Sequence, residues 1–185
     1  MKAKAIGGRA LVVTLVALAA CKKQGSPAVV ADALDREVDH ATNLVLASCK
    51  PGHEATAALR ASTTTAAYEL SFRDLAACAA DARCDTPKPS ADATAALREL
   101  SPEARRFLDD GVTATATTLA SASDERRGKL RAALERSRDA MQSALALSKL
   151  CGNPARISEV PAAMSKVNDH RAASRSATKG LRDGG

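Results

Sequence analysis

Residues 124–151, DERRGKLRAALERSRDAMQSALALSKLC, form the stretch of sequence that decides the fold. Apolar or small side chains recur there at every third or fourth position, which is the spacing of one face of an α-helix. This face carries Leu130, Leu134, Ser137, Met141, Leu145, Ser148 and Cys151. The charged side chains outside it, where we expect solvent, are Arg127, Arg131, Glu135 and Arg138. The stretch therefore predicts a long amphipathic helix that packs against other helices.

Two further helices are predicted upstream. Residues 30–48 repeat the helical spacing with Val30, Leu34, Val38 (or Glu37), Ala41, Val45 and Ser48, and Pro51-Gly52 ends this helix. Residues 53–80 form the second, and its expected inward-facing residues are Leu59, Ala66, Leu70, Leu75 and Cys78. The following segment, 81–90, contains Pro87 and Pro89 and is predicted to be a connection.

A break is predicted in the middle of residues 91–121. Ser90 is a plausible N-cap for a short helix over 91–100, and Ser101-Pro102-Glu103 has the cap, proline and acid of a new helix start. The inward face of the second helix carries Ala104, Phe107, Leu108, Val112, Thr115 and Leu119. One helix over 91–121 would overhang its neighbours. We therefore expect 91–100 to run back along the bundle and 102–121 to return.

The C-terminal region has a weaker pattern. Gly152-Asn153-Pro154 ends the long helix, and a weak helix is predicted over 155–168, interrupted by Pro161. After His170 no apolar rhythm is visible, so residues 171–185 are predicted to be a disordered basic tail. The tail cations are expected to be solvated, with anionic lipid or cell-wall polymer as the alternative contact; they are Arg171, Arg175, Lys179 and Arg182.

The composition favours helices over sheets. Aromatic residues are 2% of the chain, and tryptophan is absent. Because strands draw on aromatic and β-branched residues, we predict an all-α fold: an antiparallel bundle of four main helices plus one or two short ones, stapled by disulfides. Tyr68 and Phe72 lie four residues apart and are expected to anchor the core rather than face a ligand.

The N-terminus has the features of a bacterial export signal. Lys2, Lys4 and Arg9 precede an apolar run over 10–20, which is too short for the roughly 20 residues of a membrane-spanning helix. The run ends in Leu18-Ala19-Ala20-Cys21, which resembles the lipobox of bacterial lipoproteins. The resemblance implies diacylglycerol on the Cys21 thiol, cleavage before Cys21, and acylation of the new amino group by a fatty acid such as palmitate. The alternative is an ordinary secretory signal followed by a chance cysteine.

This resemblance divides the chain into four parts. We expect a lipoprotein signal peptide at 1–20, a membrane tether at 21–28, a helical domain at 29–170 and the tail at 171–185. The mature protein is expected to be exported and lipid-anchored to the cell membrane, facing the periplasm or the exterior. Lys22 occupies the position where aspartate favours inner-membrane retention, so outer-membrane delivery is preferred.

Four cysteines remain once Cys21 is assigned to lipid. An even number in an exported protein favours two disulfides. The helix lengths and the reversal at 101 predict the pairs Cys49–Cys151 and Cys78–Cys84, one at each end of the bundle. Cys49 and His53 are an alternative pair of metal ligands, but Pro51-Gly52 breaks the helix between them.

Other chemistry has little support in the sequence. Asp109 and Asp110 are adjacent and therefore point about 100° apart on a helix. His40 and His170 lack acidic or cysteine partners at a recognisable spacing and are expected at the surface. No nucleophile-elbow, P-loop or HExxH motif is present. Catalytic residues, metals and cofactors are therefore not predicted.

These observations favour a non-enzymatic lipoprotein with a protein-interaction or structural role at the cell envelope. Its partners would be membrane lipid, through the acyl chains on Cys21, and an envelope protein. Loss of the signal lowers the formal charge from +6 to about +3, with signs interspersed, so nucleic acid is not an expected partner. The alternatives are a periplasmic sensor or carrier for a metal or small ligand and a hydrolase whose site is assembled from distant residues.

Overall fold

The computed structural model describes residues 26–50, 55–84, 86–151 and 153–183, and these ranges are helical without any strand. The α-helices are α1 (Pro27–Ser48), α2 (Ala55–Ala80), α3 (Ala91–Arg98), α4 (Pro102–Leu119), α5 (Asp124–Cys151) and α6 (Val160–Asp183), and a 3₁₀ helix (Pro154–Glu159) precedes α6. None of these described helices is long and apolar enough to cross a membrane. The predicted all-α, disulfide-stapled bundle is confirmed.

Serine caps set the starts of three helices. The side chain of Ser26 accepts a hydrogen bond from the backbone N–H of Val29, and Pro27 is the first helical residue of α1. Ser90 and Ser101 cap α3 and α4 in the same way, as the sequence predicts. Each cap satisfies a backbone donor that the first turn of a helix leaves unpaired.

The reversal between α3 and α4 sets the direction of α5. The hydroxyl of Tyr68, midway along α2, donates to the carbonyl of Ala104 at 3.0 Å, so α4 begins beside the middle of α2. From there α4 runs to the end of the bundle that holds the C-terminus of α2. The next helix, α5, starts at this end and runs the full length of the bundle, packed against α1, α2 and α6.

A disulfide joins the helices at each end of the bundle. Cys49 after α1 is bonded to Cys151 at the end of α5, across 102 residues of sequence. Cys78 in α2 is bonded to Cys84 in the following loop, across six residues. Both predicted pairs are present. We call the end with Cys49 and Cys151 the clasp end and the opposite end the Ser26 end.

The buried face of α2 differs from the predicted one. Leu59, expected to point inward, is 70% exposed, and Ala66 and Leu70 are only half-buried. The buried face starts two residues later, at Ala61, and includes Thr65, Tyr68, Phe72 and Ala79, together with Leu75 and Cys78, which are buried as predicted. Thr65 can occupy this face because its hydroxyl donates to the carbonyl of Ala61 within the helix. Apolar spacing therefore predicted the wrong buried face, because polar residues such as Thr65 occupy part of it.

Arg127, predicted to be on the solvated face of α5, is buried. Its guanidinium donates to the carbonyls of Asp81 and Cys84 after α2, and to that of Leu119 at the end of α4. A cation is favoured there because unpaired carbonyls at helix C-termini carry partial negative charge. Arg127 therefore holds three chain segments together at the Ser26 end.

The C-terminal region is an ordered helix, so the predicted disordered tail over 171–185 is wrong for residues 171–183. In the structure, α6 packs against α1 and α5, and its buried residues are Val167, Ser174, Thr178 and Leu181. Ser174 shares a hydrogen bond of 2.9 Å with Ser137 of α5, and Thr178 donates to Asp35 of α1. These paired hydroxyls replace the apolar contacts whose absence suggested disorder. Residue 170 is therefore not a domain boundary.

Three arginines of the expected tail bind acids of α1. Arg182 contacts Asp32 and Asp35, and Arg171 and Arg175 both contact Asp39. Burial tends to raise the pKa of Asp39, but the hydrogen bonds from the two arginines hold it below its ordinary value. This set of ion pairs, which we call the α1–α6 seam, fixes the C-terminal helix along α1.

The two disulfides are expected to differ in their contribution to stability. In the chain-entropy relation, a loop of about 100 residues contributes roughly 4–5 kcal/mol and a loop of about six residues roughly 2 kcal/mol. Replacing Cys49 and Cys151 with serine should therefore lower the free energy of unfolding about twice as much as replacing Cys78 and Cys84. Denaturant titration of the two double variants checks this, and equal losses would contradict it.

Candidate functional site: a buried carboxyl cluster

The structure accounts for the predicted cysteine sites in different ways. Cys21, the expected lipidation site, and His53 lie outside the described residues. Cys49 is bonded to Cys151, so it has no thiolate to offer a metal together with His53. Across the part of the chain that is described, no group of three or more His, Cys, Asp or Glu residues is placed to hold a metal ion.

The aromatic pair behaves as predicted, whereas the histidines do not lie free at the surface. Tyr68 and Phe72 are both fully buried in the core, which confirms their role as packing anchors. His170 is half-buried, with Nδ1 3.1 Å from the carbonyl oxygen of Asp139. His40 is half-buried and belongs to the cluster described next.

Glu37 of α1 is the most unusual group in the molecule. It is 1% exposed, and its Oε1 is the buried side-chain polar atom of the described residues that has no hydrogen-bond partner. Burial raises the pKa of Glu37 well above its ordinary value; Arg36 opposes this shift and Asp110 adds to it. An unpaired buried carboxylate is costly, so the neutral acid is favoured in the folded protein.

Gly111 of α4 provides the space for this carboxyl group. A Cβ at Gly111 would overlap Oε1 of Glu37, whereas Cβ atoms at Gly128 and Gly180 would meet nothing within 4 Å. The contact with α4 is thus made through backbone. The buried position of the Glu37 carboxyl group therefore requires a residue without a side chain at position 111.

One turn further along α1, His40 joins a hydrogen-bonded chain to α4. Its Nδ1 lies 3.1 Å from the hydroxyl oxygen of Tyr68, and that hydroxyl donates its only proton to the carbonyl of Ala104. The Nδ1–H of His40 must then be the donor to Tyr68. Burial lowers the pKa of His40, with Glu103 opposing, which favours the neutral ring.

Phe107 covers the outer side of the cluster. Its ring meets His40 edge-on with centroids 5.4 Å apart, and the guanidinium carbon of Arg36 lies 5.0 Å from its centroid. We define the Glu37 cluster as Arg36, Glu37 and His40 of α1, Tyr68 of α2, and Phe107 and Gly111 of α4. The cluster joins the three helices α1, α2 and α4. Because Glu37 is buried, a substrate has no access to its carboxyl group.

Two clefts lie near the cluster. One, of about 320 Å³, is open to solvent, and its lining includes Asp32, Arg36 and Asp110. The other, of about 70 Å³, lies between α2, α3 and α4, with Leu75, Leu97 and Leu108 in its walls. Asp109, one of the adjacent acids, lies at this second cleft and forms an exposed pair with Arg105. Asp109 and Asp110 therefore lie in different clefts.

One signal in the sequence pointed to this cluster. Glu37 occupies a position of the apolar face of α1, as an alternative to Val38, and both residues are buried. An acid at such a position is the pattern of a buried ionisable group. The sequence did not reveal which residues of α4 face Glu37, since α2 and α3 lie between α1 and α4 along the chain.

No protein-family model, no curated protein and no solved structure matches this chain. Function is therefore inferred from the residues and their arrangement.

Glu37 should make stability depend on pH. Its folded pKa is raised, so its contribution is fully present below the unfolded pKa of about 4.3 and is lost as pH rises through the folded pKa. Glu37→Gln, which is neutral throughout, should be more stable than wild type at pH 7 and equally stable below pH ~4. Urea titrations across pH measure this, with exposed Glu135→Gln as the control. Parallel pH profiles for wild type and Glu37→Gln would contradict it.

The glycines provide a second, steric test. Gly111→Ala should destabilise the protein by about 1–3 kcal/mol, the usual range for overpacking. Gly128→Ala, in the open interior of α5, should instead stabilise it by about 0.5–1 kcal/mol, because alanine is the better helix former. Thermal unfolding compares the two variants directly. Stabilisation by Gly111→Ala would show that the Glu37 carboxyl group does not occupy this space.

Proposed function

We propose that this chain is an exported lipoprotein, held at the cell envelope by acyl chains on Cys21, and that its helical bundle acts through protein contacts. The observation that carries the proposal is the pairing of the cysteines. Of five in the chain, four are bonded to each other in two disulfides, so Cys21 has no cysteine left to pair with within the chain.

The pairing supports export and lipidation together. Disulfides form and persist in oxidising compartments such as the bacterial periplasm and are rare in the cytosol. The odd cysteine coincides with the position that the lipobox requires, directly after Leu18-Ala19-Ala20. A chance cysteine after an ordinary secretory signal would leave a free, reactive thiol in an oxidising compartment.

The same pairing disfavours a thiolate metal site as the function. Four of the thiols that would be ligands are consumed in disulfides. A thiol count on the protein isolated without reductant separates the two functions. Lipidation of Cys21 leaves no free thiol, and metal binding by cysteines needs at least two.

The surface supports a role in contacts rather than catalysis. Ion pairs lie on the exposed face of α5 and between α6 and α1, and Glu37, whose pKa is raised by burial, is closed off from solvent. Exposed acids and bases suit a protein that is presented to the aqueous envelope. We propose an envelope protein as its partner, with outer-membrane placement favoured by Lys22.

Metabolic labelling with a fatty acid tests the anchor. The full-length chain should incorporate the label, and Cys21→Ala should not. A variant with both Cys78 and Cys84 changed to alanine provides the matched control, because it removes cysteines while leaving the lipobox intact, and it should be labelled like wild type. Labelling of Cys21→Ala would overturn the proposal.

A further inference from the structure

We propose that the Ser26 end of the bundle lies against the phospholipid surface and that the clasp end points away from the membrane. This orientation rests on the proposed lipidation of Cys21. The surface in question is formed by Ser26, residues 81–84, the turn at 120–123 and the C-terminal turn of α6.

Covalent geometry sets the first limit. Four residues lie between Cys21 and the cap Ser26, and the five residue-to-residue steps, at ~3.6 Å each, span at most about 18 Å. The helix α1 that follows has 22 residues, or about 33 Å at 1.5 Å per residue. Because the helix is longer than the tether, the bundle cannot stand with its clasp end on the membrane.

The contacts at the Ser26 end bring four chain segments together. Arg127 binds carbonyls of the 81–84 loop and of the end of α4, which ties these segments to the start of α5. Arg182, in the last turn of α6, pairs with Asp32 in the second turn of α1. The end that the tether reaches is therefore a built surface of four segments and not a single helix tip.

Cations in the tether and at this end can contact phosphate headgroups, although exposed acids, among them Asp183 in the last turn of α6, lie at the same end. Lys22 and Lys23 lie in the tether, and Arg83 is exposed in the loop. Two of the nearby acids are engaged: Asp81 accepts from the backbone N–H of Arg83, and Glu125 pairs with Lys129. Asp124 lies in the first turn of α5, where the helix dipole offsets its charge. Lysine and arginine near a bilayer surface are attracted to anionic lipid headgroups.

The large apolar side chains that are exposed lie at the opposite end, the clasp end. In the described ranges, Leu59 and Ile157 are the exposed ones, at 70% and 62%. Leu59 lies in the early turns of α2 and Ile157 in the 3₁₀ helix after Cys151, so both belong to the clasp end. The upright orientation keeps them out of the bilayer. A bundle lying flat on the side that carries them would instead bring them to the membrane surface.

The absence of tryptophan makes the orientation measurable. Ser121→Trp places a single tryptophan in the exposed turn at the Ser26 end, and Ile157→Trp places one at the clasp end. The full lipidated protein is reconstituted in phosphatidylethanolamine–phosphatidylglycerol vesicles that contain a dansyl-labelled lipid. Energy transfer from tryptophan to dansyl should be several-fold greater for Ser121→Trp. Leu59→Trp provides a second clasp-end probe with the same low transfer expected.

Flotation of each variant with the vesicles separates the two ways of failing. If the lipidated protein does not float with the vesicles, the proposed anchor fails and the orientation fails with it. If it floats but Ile157→Trp transfers energy as efficiently as Ser121→Trp, the anchor stands and the upright orientation is overturned.

Discussion

The reversal of the chain at residues 99–101 is the constraint on which the rest of the bundle depends. Ser101 caps α4 and Pro102 begins it, so α3 and α4 are separate helices and not one long rod. With this reversal α5 starts at the Ser26 end and finishes at the clasp end, where Cys151 meets Cys49. Tyr68 and Arg127 hold the two ends of α4 through backbone carbonyls. The helix start at Ser101-Pro102 thus determines which cysteines come close enough to bond.

Polar contacts complete a core that apolar side chains alone leave thin. Alanine supplies much of the buried surface, and each alanine buries little area. Hydroxyl pairs such as Ser137–Ser174, the guanidinium of Arg127 and the α1–α6 seam connect helices that would otherwise touch weakly. Such contacts are directional, so they specify one arrangement of helices. At the interface of α1 with α4 the fit is steric instead, because the Glu37 carboxyl group fills the space that Gly111 leaves.

Helix starts, the reversal and the disulfide pairs were predictable because each depends on local residue types or on helix length. The face of α2 was misplaced because Thr64 and Thr65 lie inward, and Thr65 donates its hydroxyl proton to the carbonyl of Ala61 in the same helix, which apolar spacing does not detect. The order of α6 was missed for the same reason, since Ser174 and Thr178 occupy its buried face. The partners of Glu37 and Arg127 come from distant segments, and only the assembled fold brings them together.

The fold consumes four cysteines in two disulfides, one at each end of the bundle, and the proposed lipidation uses the fifth, Cys21. Non-reducing peptide mapping by mass spectrometry, on protein isolated from the native envelope, tests this claim most directly. We expect peptides that link Cys49 to Cys151 and Cys78 to Cys84, together with an N-terminal peptide that begins at an acylated Cys21. A linkage between Cys49 and either Cys78 or Cys84, or a disulfide that contains Cys21, would contradict it.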